Sequence, residues 1–168
     1  MKRRIAKAFA LMAFCAALGL AVRAFGFGLV RVSGTSMGDT LLNGDLVLVT
    51  RFDYLSGRAP DFGDIVECAF PNRADTYVKR VIGLPGDAIA FSNGMLIRNG
   101  GALSEPYVSS ATGDYAAQLD ADEYLLLGDN RAESYDSRME DMGMAHQSGF
   151  LGRVRMILWP LSRLGFVE

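Results

Sequence analysis

Cysteine and histidine, the residues from which disulfides and many metal sites are built, are scarce in this sequence. Its 168 residues include two cysteines and one histidine. Cys15 lies within an apolar run and Cys68 far beyond it, so we expect no disulfide and interpret both as small buried apolar residues. No calcium-loop or His-Glu-x-x-His spacing occurs. The sequence therefore predicts neither a metal site nor a cofactor.

The scarcity of histidine also limits which base could activate a catalytic serine. A serine hydroxyl is a weak nucleophile until a neighbouring base accepts its proton. His146, the single histidine, lies in a polar, turn-like stretch between residues 143–145 and 147–149. A lysine is therefore the better candidate for this base, with His146 left as the alternative.

Acidic residues are absent before Asp39, whereas four basic residues occur within the first seven positions. An apolar run follows, and residues 5–22 would form a helix of about 27 Å against a hydrocarbon core of roughly 30 Å. Because basic flanks stay in the cytoplasm, residues 1–25 are predicted to be a cytoplasmic tip and a single-pass anchor in the inner membrane. Residues 26–168 would then be extracytoplasmic, with membrane lipid as a partner.

A cleavable secretory signal is the alternative for this N-terminal segment. Ala17-Leu18-Gly19 and Gly19-Leu20-Ala21 both have the small-x-small form of a cleavage site. Both interpretations place the remainder of the chain outside the cytoplasm.

Residues 26–168 are predicted to form a mostly β domain, because short apolar runs alternate there with Gly, Asp, Asn and Pro. Asn93-Gly94 predicts a two-residue hairpin turn, and Asn99-Gly100 extends the hairpin into a meander. The apolar run 46–49 predicts a strand buried on both faces. A small excursion is expected around residues 88–122, with residues 104–122 as a polar loop. The predicted strands are 28–32, 46–50, 65–70, 77–82, 88–91, 95–98, 124–127 and 153–159.

Ser36 follows the first of these strands and lies between two glycines, Gly34 and Gly38. The glycines would let the backbone turn sharply and bring amide N–H groups close to a substrate carbonyl. On its own the segment is more typical of an ordinary turn, because Gly, Ser and Thr are common in turns.

Lys79 and Arg80 are adjacent cations in a strand of alternating apolar residues, so one of them must face inward or toward a sheet edge. A lysine in an apolar cleft loses hydration, and its pKa then falls well below the usual value of about 10.4, so that it can act as a base near neutral pH. Arg80 can point to solvent or pair with an acid. The alternative is a lysine that keeps an edge strand soluble.

Residues 128–138 follow another predicted strand and are rich in charged and hydroxyl side chains. They would form either a solvated loop or a buried network that braces a nearby site. In the second case Asp136 pairs with Arg138, and Ser134 forms a hydrogen bond with the lysine amine.

The order and spacing of these segments resemble those of bacterial type I signal peptidases, membrane-bound serine proteases with a Ser-Lys dyad. The resemblance covers nearly the whole chain and implies an antiparallel β-barrel of coiled sheets preceded by one transmembrane helix. Its motifs are Ser36-Met37-x-x-Thr40-Leu41, Gly44-Asp45-Leu46-Val47-Leu48-Val49, Lys79-Arg80-Val81-Ile82-Gly83-Leu84-Pro85-Gly86-Asp87, and Gly128-Asp129-Asn130-Arg131 with Ser134, Asp136, Ser137 and Arg138.

The resemblance implies that Ser36 is the nucleophile and Lys79 the general base. Ser134 would orient the lysine, and Asp136 with Arg138 would support that loop. The oxyanion hole would use the Ser36 backbone N–H.

Two positions depart from the family pattern. Gly34 stands where some members have a hydroxyl that adds a second oxyanion donor, and Asp39 stands where the family usually has proline. The second donor and the local backbone are therefore left open.

The implied function is cleavage of preprotein signal peptides after small-x-small sites such as Ala-x-Ala, by a monomer. A Ser-Lys processing peptidase of the conjugative-pilus type is one alternative, and a non-catalytic exported β-barrel binding protein is another. A self-cleaving SOS-response repressor would need a DNA-binding domain, and the body of the chain has no basic stripe. Nucleic acid is therefore not an expected partner.

Overall fold

The chain begins with a long helix, α1 (Lys2–Ala24). The computed structural model describes residues 2–24, 26–38, 40–55 and 57–167, so residues 1 and 25 of the predicted anchor lie outside the described residues. Among the residues described, no helix combines the length and the apolar character that crossing a bilayer requires. The exposed large apolar side chains on α1 are Phe9, Leu11, Met12, Phe14 and Leu20.

The two cysteines differ in their surroundings. Cys68 is buried in the core, as predicted, but Cys15 is exposed on α1. The prediction that both are buried is therefore wrong for Cys15, because the side chains described around it on the helix are exposed as well.

The remainder of the described chain is mostly β. In chain order the strands are β1 (Phe27–Arg31), β2 (Leu46–Thr50), β3 (Ile65–Ala69), β4 (Thr76–Gly83), β5 (Ala88–Ser92), β6 (Met95–Arg98), β7 (Gly101–Leu103), β8 (Tyr115–Gln118), β9 (Glu123–Leu127), β10 (Ala145–His146), β11 (Phe150–Trp159) and β12 (Gly165–Phe166), with a short helix α2 (Phe52–Leu55) after β2. Within the described residues these strands form two antiparallel sheets. The prediction of a mostly β, antiparallel fold is confirmed.

The larger sheet has the order β1-β2-β11-β3-β4-β9-β10, and β12 pairs with β11. Apolar clusters lie on both of its faces, because neighbouring residues of β3 such as Ile65 and Val66 belong to different clusters. On β2, Val47 is fully buried but Leu46 and Leu48 are only half-buried. The prediction that this strand is buried on both faces is wrong, since one face alone packs into a core cluster.

The smaller sheet has the order β7-β6-β5-β8. Asn93 and Asn99 both have positive φ angles, 52° and 51°, and each is followed by a glycine with positive φ, as the predicted turns require. Residues 104–122 were predicted to be a loop, and this is wrong for β8. The segment has only four residues and no large aliphatic side chain, and its pairing with β5 supplies the strand hydrogen bonds.

Strand β4 lies between β3 and β9, and all five of its residues from Lys79 to its C-terminal end are buried. Lys79 lies opposite Val66 of β3, and Arg80 lies opposite Leu127 of β9. Because successive side chains of a strand point to opposite faces, the two cations enter different polar environments. Each is only 2% exposed.

Candidate active site

Ser36 lies in the connection between β1 and β2, which we call the serine turn. Gly34 has a φ of +91° and Gly38 a φ of +53°, a region that residues with a side chain rarely adopt. The Gly34 N–H donates to Asn43 Oδ1 at 3.0 Å, and the Asn130 N–H donates to the Ser36 carbonyl at 3.0 Å. The turn is therefore fixed from both sides. Asp39 lies outside the described residues.

The Lys79 amine is buried and donates a hydrogen bond to Ser134 Oγ, with 3.2 Å between Nζ and Oγ. Burial lowers the pKa of Lys79 from 10.5 to about 8, although the Asp136 carboxylate acts in the opposite direction. About one molecule in ten therefore carries a neutral amine at pH 7, compared with far fewer for an ordinary lysine.

Residues 128–138, which we call the support loop, hold Ser134 in place. The Gly128 N–H donates to Ser134 Oγ and to Asp136 Oδ2, both at 3.1 Å. Arg138 forms a two-pronged pair with Asp136, with Nε–Oδ1 at 2.8 Å and Nη2–Oδ2 at 2.9 Å. The contacts proposed from the sequence between Ser134 and Lys79 and between Asp136 and Arg138 are both present, whereas the catalytic roles stay predictions.

Gly128 is a site residue that the sequence did not single out. A Cβ on this residue would lie 2.2 Å from the Ser36 carbonyl oxygen and 2.3 Å from Ser134 Oγ. Non-bonded atoms do not approach a Cβ so closely. The support loop can therefore pack against the serine turn in this way only with a glycine at position 128. Its position at the start of a polar box after an apolar strand was the available signal.

Arg80 forms a second buried network beside the first. Its guanidinium contacts both carboxylate oxygens of Asp129, at 2.9 and 2.8 Å. Thr40 Oγ1 donates to the same carboxylate at 2.6 Å, and the Tyr107 ring centroid lies 3.9 Å from the Arg80 guanidinium carbon. This network joins the serine turn, β4 and the support loop. The sequence predicted an acid partner for Arg80 as one option but did not identify Asp129.

A cavity of about 470 Å³ lies between β1, the serine turn and β4. Ser36 and Lys79 both line it, together with apolar side chains that include Val30, Val32 and Val78. The arrangement brings a hydroxyl, a buried amine and an apolar surface to one space that an extended chain could enter.

His146 is placed elsewhere, in the short strand β10. Its Nδ1 lies 3.0 Å from the Asp122 carbonyl oxygen, and its side chain is 40% exposed. It pairs with Glu123 of β9 and does not line the cavity that contains Ser36. Within the described part of the chain, no group of three or more His, Cys, Asp or Glu side chains could hold a metal ion.

Comparisons with known proteins agree on one family. The model of the signal peptidase family, peptidase S26, matches residues 3–159. A signal peptidase I from Bacillus caldolyticus is 35% identical over 161 residues, which cover 86% of this chain and 86% of that protein. A signal peptidase I P from Bacillus subtilis subsp. natto is 35% identical over 157 residues, 85% of this chain and 83% of that protein. The crystal structure of a signal peptidase I from Enterococcus faecalis V583 is 30% identical, with a TM-score of 0.52, and the match covers 57% of this chain and 97% of that chain.

Proposed function

The chain belongs to the signal peptidase family, peptidase S26, and is a serine endopeptidase that acts on preprotein signal peptides; on that premise we propose that Ser36 and Lys79 form its catalytic dyad. Membership in this family argues against the alternative of a non-catalytic binding protein. The observation that carries the proposal is the position of both residues on one cavity, with the Lys79 amine buried and held by Ser134.

The reaction begins with neutral Lys79, which accepts the proton of the Ser36 hydroxyl as Oγ attacks the scissile carbonyl. The C–N bond then breaks, and the ammonium group returns the proton to the leaving amine. In the second half of the reaction the same amine accepts a proton from the water that attacks the acyl carbonyl. The ester bond between the acyl carbon and Ser36 Oγ then breaks, and the ammonium group returns the proton to Oγ. Ser134 supports these steps because its hydroxyl fixes the position of the Lys79 amine.

The oxyanion would be stabilised by the backbone N–H of Ser36, which is held by the fixed turn between Gly34 and Gly38. Gly34 has no side chain that could add a second donor. The Asn130 side-chain amide donates to the Thr35 carbonyl at 3.3 Å, which helps to hold the peptide group that carries the Ser36 N–H.

The substrate would bind as an extended strand between β1 and β4. Its backbone would supply affinity, and the fit of its side chains in the cavity would supply selectivity. Val30, Val32 and Val78 give this cavity an apolar wall. Small side chains at the first and third positions before the cut fit such a wall, and larger ones are excluded sterically. This arrangement supports our proposal of cleavage after Ala-x-Ala. The dyad and Ser134 come from one chain, so we propose that a monomer is active.

We also propose that the protein is attached to the outer face of the cytoplasmic membrane. Helix α1 exposes apolar side chains, and its first turns carry four basic residues and no acidic one. A second group of exposed apolar side chains lies on β1, α2 and the C-terminal end of the larger sheet: Phe27, Leu29, Phe52, Trp159, Leu161, Leu164 and Phe166. Exposed apolar groups of this extent favour contact with lipid, which would bring the site close to membrane-bound preproteins.

The dyad is tested with the detergent-solubilised full chain and a preprotein whose signal ends in Ala-x-Ala. Wild-type chain should release one product with a new N-terminus directly after that site. Ser36→Ala and Lys79→Ala should each lose at least about 1,000-fold in kcat while remaining folded. Processing by a folded Lys79→Ala chain at the wild-type rate would contradict the proposal.

A further inference from the structure

The segment between β7 and β8 contacts the support loop through side chains for which the sequence predicted no function. We call residues 104–112 the bridging segment. Ser110 Oγ accepts a hydrogen bond from the Ala132 N–H at 3.2 Å, and the Tyr107 hydroxyl donates to Glu105 at 3.0 Å. The bridging segment therefore belongs to the smaller sheet in sequence but packs against the catalytic region.

Glu105 and Arg131 form the strongest of these contacts. Both guanidinium ends of Arg131 reach the carboxylate, with Nη2–Oε1 at 2.5 Å and Nη1–Oε2 at 3.1 Å. The side chains are only 7% and 0% exposed. Thr112 Oγ1 accepts a further bond from Arg131 at 2.9 Å, and the Phe91 ring lies 5.2 Å away. A buried pair of this kind holds its geometry tightly, because either charge alone would be strongly disfavoured.

Arg131 transmits this constraint to the backbone of Gly128, through the carbonyl on one side of its Cα and the N–H on the other. Its Nε donates to the Gly128 carbonyl at 3.0 Å, and Arg138 Nη2 donates to the Arg131 carbonyl at 2.8 Å. The Gly128 N–H contacts Ser134 Oγ, the hydroxyl that holds Lys79. A series of hydrogen bonds, joined through the Gly128 backbone, thus runs from Glu105 to the Lys79 amine.

The close packing at Gly128 makes this series sensitive to small movements. The space beside its Cα is filled by the Ser36 carbonyl and Ser134 Oγ. A shift of the Gly128 peptide therefore changes the distance between the serine turn and the group that holds the base. Displacements of about 1 Å in a catalytic geometry reduce rates by about 100-fold.

We infer that Glu105 is a positioning residue of the endopeptidase, which acts through Arg131 and the Gly128 peptide to hold Ser134 against Lys79. The inference rests on the proposed dyad. It assigns a function in the reaction to the bridging segment, which touches neither Ser36 nor Lys79 directly.

Glu105→Gln in the full chain tests this assignment. It preserves the shape of the side chain but leaves the Arg131 charge buried without its counter-charge. We expect kcat for the Ala-x-Ala preprotein to fall about 10- to 100-fold, with KM within about 2-fold of wild type. The ascending limb of the pH profile should move to higher pH, because a loosened loop admits water to Lys79. The charged and titratable groups around this amine are Asp136, Arg138 and Asp129 from the support loop and Cys68 from β3.

Arg98→Gln is the matched control, because Arg98 pairs with Asp87 in the smaller sheet at 2.6 Å but does not contact the support loop. It should lower the melting temperature while kcat stays within about 2-fold of wild type. If Glu105→Gln lost stability but kept kcat and the pH limb, as Arg98→Gln should, the inference would be overturned.

Thr112→Val provides a second variant in case Glu105→Gln does not fold. It removes one hydrogen bond to Arg131 and retains the ion pair, so kcat should fall about 3- to 10-fold. An unchanged kcat in this variant would overturn the inference. Ser36→Ala in the same assay separates the two proposals. Activity of the Ser36→Ala chain would contradict the proposed dyad, independently of the result for Glu105→Gln.

Discussion

At the scale of single residues, the central feature is a buried amine on Lys79. A charged group without water needs compensation, and here the Ser134 hydroxyl accepts one hydrogen bond while Asp136 supplies a nearby negative charge. These contacts are too few to restore the ordinary pKa of a lysine. The same desolvation that makes the amine a usable base therefore destabilises the folded chain at neutral pH.

Replacing Lys79 with methionine should therefore stabilise the chain. The folded pKa of about 8 lies below the unfolded value of 10.5, so protonation of the folded amine costs about 3 kcal/mol below pH 8 and nothing above pH 10.5. Lys79→Met removes this cost but also the bond to Ser134, and we expect about 1 to 3 kcal/mol of added stability at pH 7. The advantage should shrink between pH 8 and 10.5. Denaturant unfolding at several pH values measures it, and a less stable Lys79→Met chain at pH 7 would contradict the expectation.

Among the glycines that the structure describes, Gly128 has the least room for a side chain. Gly128→Ala would force a methyl group against the Ser36 carbonyl oxygen, at 2.2 Å in the present geometry. We expect about 1 to 3 kcal/mol lower stability and at least 100-fold lower kcat, because the clash separates the serine turn from the support loop. Gly113→Ala is the control, since nothing lies within 4 Å of its added Cβ. Equal activity of the two variants would show that this contact is not needed.

At the scale of elements, β4 organises the site because it has buried neighbours on both sides. Its alternation sends Lys79 toward Ser134 and Arg80 toward Asp129, so two adjacent cations serve two separate networks. The edge-strand alternative for Lys79 fails for this reason. The pattern of apolar residues around the pair was enough to predict the strand, but not that both of its faces are covered.

The Arg80–Asp129 pair provides a test of this arrangement. Asp129→Leu alone should destabilise the chain by about 3 to 5 kcal/mol, because the buried Arg80 charge loses the Asp129 carboxylate. Arg80→Met together with Asp129→Leu should recover most of that loss. Thermal unfolding of the two single variants and the double variant gives the coupling between them. Additive losses would mean that the two side chains do not depend on each other.

Prediction from the sequence succeeded where the signal is local. β2 and β6 have the predicted bounds because their apolar runs end at turn residues, and the Asn93-Gly94 turn is specified by two residues. It failed for β8, which has four residues and no large aliphatic side chain and becomes a strand through its pairing with β5. The Glu105–Arg131 pair joins the bridging segment to the support loop, and no spacing rule relates the two residues. Contacts of this kind are decided by the packing of the whole domain.

At the scale of the whole molecule, three separate parts of the chain meet at the candidate active site. The serine turn follows β1, the lysine lies in the middle of β4, and the support loop follows β9. Because these strands belong to one antiparallel sheet, their loops are brought together by pairing rather than by nearness in sequence. The short connection from Arg23 to Ser36 would keep the site near the bilayer if α1 is embedded as proposed, so that membrane-bound substrates arrive at high effective concentration.

The pH dependence of kcat/KM in the full chain tests the identity of the base most directly. A lysine base must be neutral, so activity should rise with pH through a single limb near 8, the lowered pKa of Lys79. The same limb should persist in His146→Ala. A limb near 6.5, the ordinary pKa of histidine, that disappears in His146→Ala would contradict the account.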